Sequence, residues 1–241
     1  MIVSKAFMLA SQVVFGSHQH IAPILIAFVI GFLLIYFAKN TFKEKQKVLL
    51  FKALGFLVSS TVIIYHINLM LVTDYDISRD LPLFLCSFMG LVIAIFTYFR
   101  NYWMYEILVF WILAGTTQAI LTPDISKPFP ELEYFRYWIV HLGLVIIILY
   151  ATIVFKFKPT IKSVFKSIIA LQLYIFIIFF VNWILNSNYS YLTRKPEVAS
   201  ALDYLGDWPM YIVYAELIAI PYFLLIYLPF YFINRKNKLS I

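Results

Sequence analysis

The chain holds a single cysteine, Cys86, among 241 residues, which excludes an internal disulfide and a cysteine-cluster metal site. Charge is scarce as well, at 13% of residues against about 25% in an average soluble domain. The zinc pattern His-Glu-x-x-His, the phosphate-cradling P-loop and the Gly-x-Ser-x-Gly nucleophile elbow are all missing. His18 and His20, two apart, make at most a weak metal pair and read better as surface histidines. No metal and no cofactor is expected. No solenoid-type repeat or low-complexity linker divides the chain, so one domain accounts for it.

Apolar side chains are what the chain has in excess. They make up 63% of residues and lie in runs near the roughly 20 residues that a helix needs to cross a bilayer. An unpaired backbone group in hydrocarbon is so costly that only helices and closed barrels span it. Blocks of this length without alternating polarity exclude the barrel. The expected fold is therefore all-α: a polytopic bundle of seven transmembrane helices, at 21–38, 48–72, 81–98, 103–121, 134–156, 163–185 and 209–233. Residues 1–20 would form an N-terminal extracellular or interfacial segment, 21–233 the transmembrane domain and 234–241 a cytoplasmic tail. Met1–Gly16 has Lys5 and a short apolar run but no clear small-x-small cleavage site. It reads as an interfacial helix on the outer leaflet rather than a cleaved signal peptide.

A net charge of +7 does not indicate nucleic acid here, because 20% of residues are aromatic and the lysines are scattered. The positive charge instead follows alternate loops. One side carries Lys39, Lys43, Lys45, Lys47, Arg100, Lys156, Lys158, Lys162, Lys166, Arg235, Lys236 and Lys238. The other mixes six cations with a larger acidic set that includes Asp74, Asp76, Asp80, Asp124, Glu131 and Glu133. The positive-inside rule then puts the N-terminus outside and the C-terminus in the cytoplasm of a multi-pass cell-membrane protein.

The polar side chains within the spans cluster toward the outer ends. At 1.5 Å per residue, Cys86, Gln118 and Asn182 would lie roughly 6 Å deep, and His66, His141 and Glu216 about 12 Å deep. The inner halves of most spans are almost purely apolar. Each polar residue alone has a bland explanation in helix–helix hydrogen bonding, and Cys86 in small apolar filling. Their shared depth favours one outward-opening pocket. Asp80-Leu81-Pro82 reads as an N-cap and first turn that would place Cys86 near the positive end of the third helix. His141, as a neutral imidazole, could act as its base, the usual pairing for covalent acyl transfer. Gln118 or Asn182 could donate to the oxyanion. The run from Asn182 through Asn186, Asn188 and Tyr189 to Arg194 and Lys195 reads either as an aromatic belt or as a rim binding an anionic headgroup. Gly115 is expected to allow close helix packing.

These residues resemble a family. Leu81-Pro82-Leu83-Phe84-Leu85-Cys86, Tyr105-Glu106 with Phe110-Trp111, and Ala114-Gly115-Thr116-Thr117-Gln118-Ala119-Ile120-Leu121-Thr122-Pro123-Asp124 are similar to YwaF-like bacterial integral membrane proteins. His141, Asn182-Trp183, Asn188-Tyr189, Arg194-Lys195-Pro196 and Leu205-Gly206-Asp207-Trp208-Pro209 extend the resemblance over nearly the whole chain from the second helix onward. That family is similar in turn to transmembrane protein 164, described as a cysteine-dependent phospholipid acyltransferase that remodels ether lipids. The resemblance implies that the paired Cys and His fall on Cys86 and His141. It also implies a membrane phospholipid or lysolipid as substrate. A transporter or lipid-binding protein with the same pocket, or a non-catalytic scaffold, remains the competing reading. A reporter fused to the C-terminus is expected to be cytoplasmic, and an extracellular one would overturn the orientation.

Overall fold

A computed structural model describes residues 13–196 and 200–239. The expected interfacial helix lies largely outside them. The described residues form helices and connecting turns with no strand. We number the long helices α1 (His18–Asn40), α2 (Glu44–Val72), α3 (Leu85–Phe99), α4 (Tyr102–Leu121), α5 (Leu132–Ile153), α6 (Ile161–Leu185) and α7 (Met210–Leu239). Six are long and apolar enough to cross a membrane, and α3 is a shorter apolar helix of 15 residues. The continuation of α7 to Leu239 makes the expected tail from 234 largely helical.

The bundle is organised around α4 and α5, whose most apolar stretches are 56% and 50% buried, whereas α1 and α7 reach only 11%. α2 and α3 pack on each other and on α5, α1 packs on α5, and α6 and α7 close the opposite flank beside α4. The α2–α3 crossing is tight because Gly55 has no side chain: a Cβ there would lie 1.9 Å from Thr97 Oγ1. Ser59 Oγ reinforces this crossing by donating to the Gly90 carbonyl at 2.6 Å.

Two features depart from the sequence reading. Helix α3 starts at Leu85 with Phe84 as its N-cap, not at Leu81. The Leu81–Phe84 segment is a bend rather than a helix because other groups take its backbone: Leu81 N donates to Tyr189 Oη, and the Leu83 carbonyl accepts from Tyr174 Oη at 2.6 Å. Asp80 is not a helix cap but accepts from Asp76 N and Arg79. The second departure lies at the far end of the bundle, which is not purely apolar. Buried Glu106 of α4 accepts from Ser163 Oγ at 2.7 Å and pairs with Lys166, both on α6.

Tyrosine hydroxyls satisfy much of the exceptional backbone. Pro23 lacks the N–H that the Gln19 carbonyl would otherwise accept; Tyr134 Oη donates to that carbonyl at 2.8 Å. Tyr137, Tyr189 and Tyr211 serve the carbonyls of Ala119, Ile77 and Tyr191 in the same way. Gly55→Val is expected to overpack the α2–α3 crossing and cost about 1–3 kcal/mol or more. The measurement is thermal unfolding in detergent; an unchanged midpoint would mean the crossing relaxes freely.

Candidate functional site

One end of the bundle opens into a cavity of about 840 Å³ walled by α3, α4, α5, α6, α7 and the turns at that end. Cys86 lines it from the second residue of α3. The corrected helix start thus puts the thiol in the first turn, two residues after the cap Phe84. First-turn amides of a helix have no carbonyl partner within it, and they sit here on the cavity wall with Ser87.

His141 lines the same cavity from α5. Its Nδ1 lies 2.6 Å from the Tyr137 carbonyl, and its ring lies 4.0 Å from the Tyr137 ring. A carbonyl only accepts, so Nδ1 carries the proton and the lone pair is assigned to Nε2. Nε2 has no protein partner and is not sealed from the cavity. Tyr137 is itself clamped, its hydroxyl donating to the Ala119 carbonyl at 2.8 Å and accepting from Asp124 N at 3.3 Å. Sequence reading missed Tyr137. The visible signal was its place one helical turn before His141.

Helix α4 changes pitch where it meets the thiol. Ile112–Thr116 forms a π turn, a device that re-aims side chains and is frequent at functional sites. Thr116 is fully buried beside Cys86, and its Oγ1 has no nitrogen or oxygen partner. Close packing does not demand glycine at 115: a Cβ there would meet only Leu85 Cδ2, at an ordinary 3.8 Å.

The other expected site residues divide. Glu216 lines the cavity from α7. His66 does not, and both its ring nitrogens are enclosed without a partner. Gln118 turns outward and donates to Thr122 Oγ1 at 3.2 Å. Asn182 is buried and fully committed: its Nδ2 donates to the Tyr189 carbonyl while its Oδ1 accepts from Ser187 Oγ and Tyr189 N. Asn186 terminates α6 in the left-handed conformation. Asn188 Oδ1 accepts from Thr193 and Arg194 N, and its Nδ2 donates to the Arg194 carbonyl. Tyr189 holds the 77–81 segment through its hydroxyl. The Arg194 side chain is exposed, and Lys195 Nζ sits 5.8 Å from the Tyr211 ring centre. Apart from Glu216, none of these lines the cavity; Asn182, Asn188 and Tyr189 hold the turn behind its wall. His20 is no surface histidine either, since it is buried, accepts from Gly16 N and donates to the Ile120 carbonyl.

Charge enters the cavity through residues the sequence left unassigned. Arg136 of α5 lines it, with its guanidinium 4.5 Å from the Tyr65 ring centre and its Nε enclosed without a partner. Asp124 lines it from the α4–α5 turn and accepts from Tyr191 Oη at 3.3 Å. Asp124 is exposed on the cavity wall, yet partial desolvation there, with Glu133 nearby, raises its carboxyl above the ordinary 3.8. Burial and the Asp124 charge push Tyr191 up to about 12, which keeps it a donor. The wall also carries two consecutive left-handed residues, Ser190 (φ 54°) and Tyr191 (φ 56°), a conformation that costs about 1–3 kcal/mol each outside glycine. Among the described residues, no cluster of three His, Cys, Asp or Glu side chains is placed to hold a metal ion.

An all-helical bundle with apolar spans and, at one end, a mainly apolar cavity carrying a few polar side chains defines a multi-pass integral membrane protein, its surroundings a lipid bilayer. Within that class the chain belongs to the TMEM164 family, whose sequence model matches residues 14–227. No curated protein and no solved structure matches it.

Because the Asp124 value is raised on folding, protonation favours the folded state. This contribution is fully present below the ordinary value near 3.8 and is lost as pH rises through the folded-state value. The unfolding midpoint of the wild type, relative to Asp124→Asn, is expected to fall as pH climbs through that window. Parallel curves for the two proteins would contradict it.

Proposed function

We propose that the protein is a cell-membrane lipid acyltransferase of the YwaF-like kind that works through a cysteine thioester. The carrying observation is that Cys86 and His141 line one cavity while the Tyr137 carbonyl fixes the imidazole with Nε2 as its basic atom. Family membership and the apolar spans support a lipid substrate. The seven helices, α3 included, cross the membrane with the N-terminus outside, so the cavity opens to the outer leaflet; residues 21–233 form the transmembrane domain.

Cys86 Sγ attacks the carbonyl carbon of a phospholipid ester as its proton passes to His141 Nε2. The resulting oxyanion meets the first-turn amides of α3 and the Thr116 hydroxyl, in place of Gln118 or Asn182. Collapse breaks the ester C–O bond, and the departing lysolipid oxygen takes the proton back from Nε2. The acyl group is now on sulfur. A second lipid hydroxyl then gives its proton to Nε2 and attacks the thioester, and the thiolate leaves and is reprotonated. Arg136 faces the same cavity and suits the phosphate of the lipid headgroup. Arg194 and Lys195 are left as contacts for headgroups outside the cavity.

The test is mass spectrometry of protein incubated with phospholipid vesicles. An acyl adduct on Cys86 is expected in the wild type and none in Cys86→Ala. His141→Gln is expected to lower the turnover by about 10²–10⁴-fold. Normal turnover by both Cys86→Ala and Cys86→Ser would end the covalent scheme and leave a lipid-binding or transport cavity.

A further inference from the structure

A second cavity, of about 270 Å³, lies between α6 and α7. Leu171, Glu216 and Ala219 line both it and the large cavity, so three side chains separate the two. The helices that flank it face lipid: only 17% and 11% of their most apolar stretches are buried, and Leu173, Phe176 and Leu217 are exposed along them. The small cavity is thus the layer between the bilayer interior and the space that holds Cys86 and His141.

Among the described residues this seam is also without a hydrogen-bond fastening. The α4–α6 seam is tied by Trp111 Nε1 to the Ser167 carbonyl and by the Glu106, Ser163 and Lys166 cluster. The α2–α3 seam is tied by Ser59. Among the described residues no hydrogen bond joins α6 to α7; α7 is held near its first turn, where Tyr211 donates to the Tyr191 carbonyl and Trp208 to that of Leu192. Six of the eight residues that line the small cavity are apolar, with Gln172 and Glu216 the exceptions; lipid tails are as apolar as leucine, so that apolar packing is exchanged for a tail with little net change. Ala219, which lines both cavities, and Ala215, one helical turn away on the large one, present only methyl groups along this path. Glu216 is the one ionisable side chain that lines both spaces, and an ionisable group in a span normally faces the bundle interior or a cavity.

We propose that the α6–α7 seam is an acyl-chain subsite, through which the hydrocarbon tail of a bilayer lipid runs past Leu171 and Ala219 into the cavity. The inference rests on reading that cavity as the place of acyl transfer. Occupancy is tested with full-length Cys86→Ala protein in phosphatidylcholine vesicles containing a phosphatidylcholine with a diazirine at the end of one acyl chain. After irradiation, adducts are expected on Ile175 and Ala215, which line the large cavity, and on Leu173, which faces lipid and serves as control. Ala219→Phe, made in the same background, is expected to lower labelling of Ile175 and Ala215 about tenfold, equivalent to about 1.4 kcal/mol, with Leu173 unchanged. Leu171→Ala, which widens the seam, is expected to raise it and covers the case in which Ala219→Phe fails to fold. Labelling of Leu173 alone, or cavity labelling indifferent to both variants, would overturn the subsite. The two readings fail separately. Cys86 acylation in the wild type without cavity labelling sinks the subsite alone, whereas cavity labelling without a Cys86 thioester supports the subsite and sinks the transfer chemistry.

Discussion

Hydrocarbon offers no partner to a peptide group, and that constraint orders the whole molecule. Regular helices meet it for most of the chain. Where the backbone departs from a helix near the cavity, side chains supply the missing bonds, and tyrosine does most of this. The Leu83 carbonyl in the bent lead into α3 takes Tyr174, the Ile77 carbonyl takes Tyr189, and the Tyr191 carbonyl takes Tyr211. A phenol suits the task because its ring packs as an apolar body while its hydroxyl reaches a carbonyl. Three irregular stretches, before α3, between α4 and α5 and after α6, contribute residues to the cavity wall.

That economy separates residues which build the site from residues which face it. Asn182, Asn188 and Tyr189 have spent their hydrogen-bonding capacity on the turn after α6. Cys86 and Arg136 keep capacity that the protein does not use, and so does Nε2 of His141. Chemistry is available only to the second group, which is why burial alone is a poor guide to function in this bundle.

Much of this architecture was legible in the sequence. The all-helical character and the apolar spans follow from the apolar runs, because in hydrocarbon length and composition leave no competing structure, whereas the continuation of α7 to Leu239 does not. The start of α3 was not legible. Asp80-Leu81-Pro82 has a plausible cap chemistry, but Tyr174 and Tyr189, more than ninety residues away in the chain, claim the backbone there. The π turn at Ile112–Thr116 left no trace in composition either. Of the residues assigned similar depths, Cys86, His141 and Glu216 line one cavity. Depth says nothing of azimuth, so Gln118 and His66, at similar depths, turned elsewhere. Arg136 and Asp124 were counted as loop charges for orientation, and that use hid their place on the cavity wall.

The turn after α6 carries a consequence for how such a chain diverges. Asn182 serves one acceptor and two donors at once, so aspartate would lose the amide that holds the Tyr189 carbonyl, and a shorter serine could not span the same three partners. Ser187 and Tyr189 depend on it in turn. Drift at this corner therefore has to proceed by linked replacements rather than single steps, and the wall behind the cavity is free to change only as a unit.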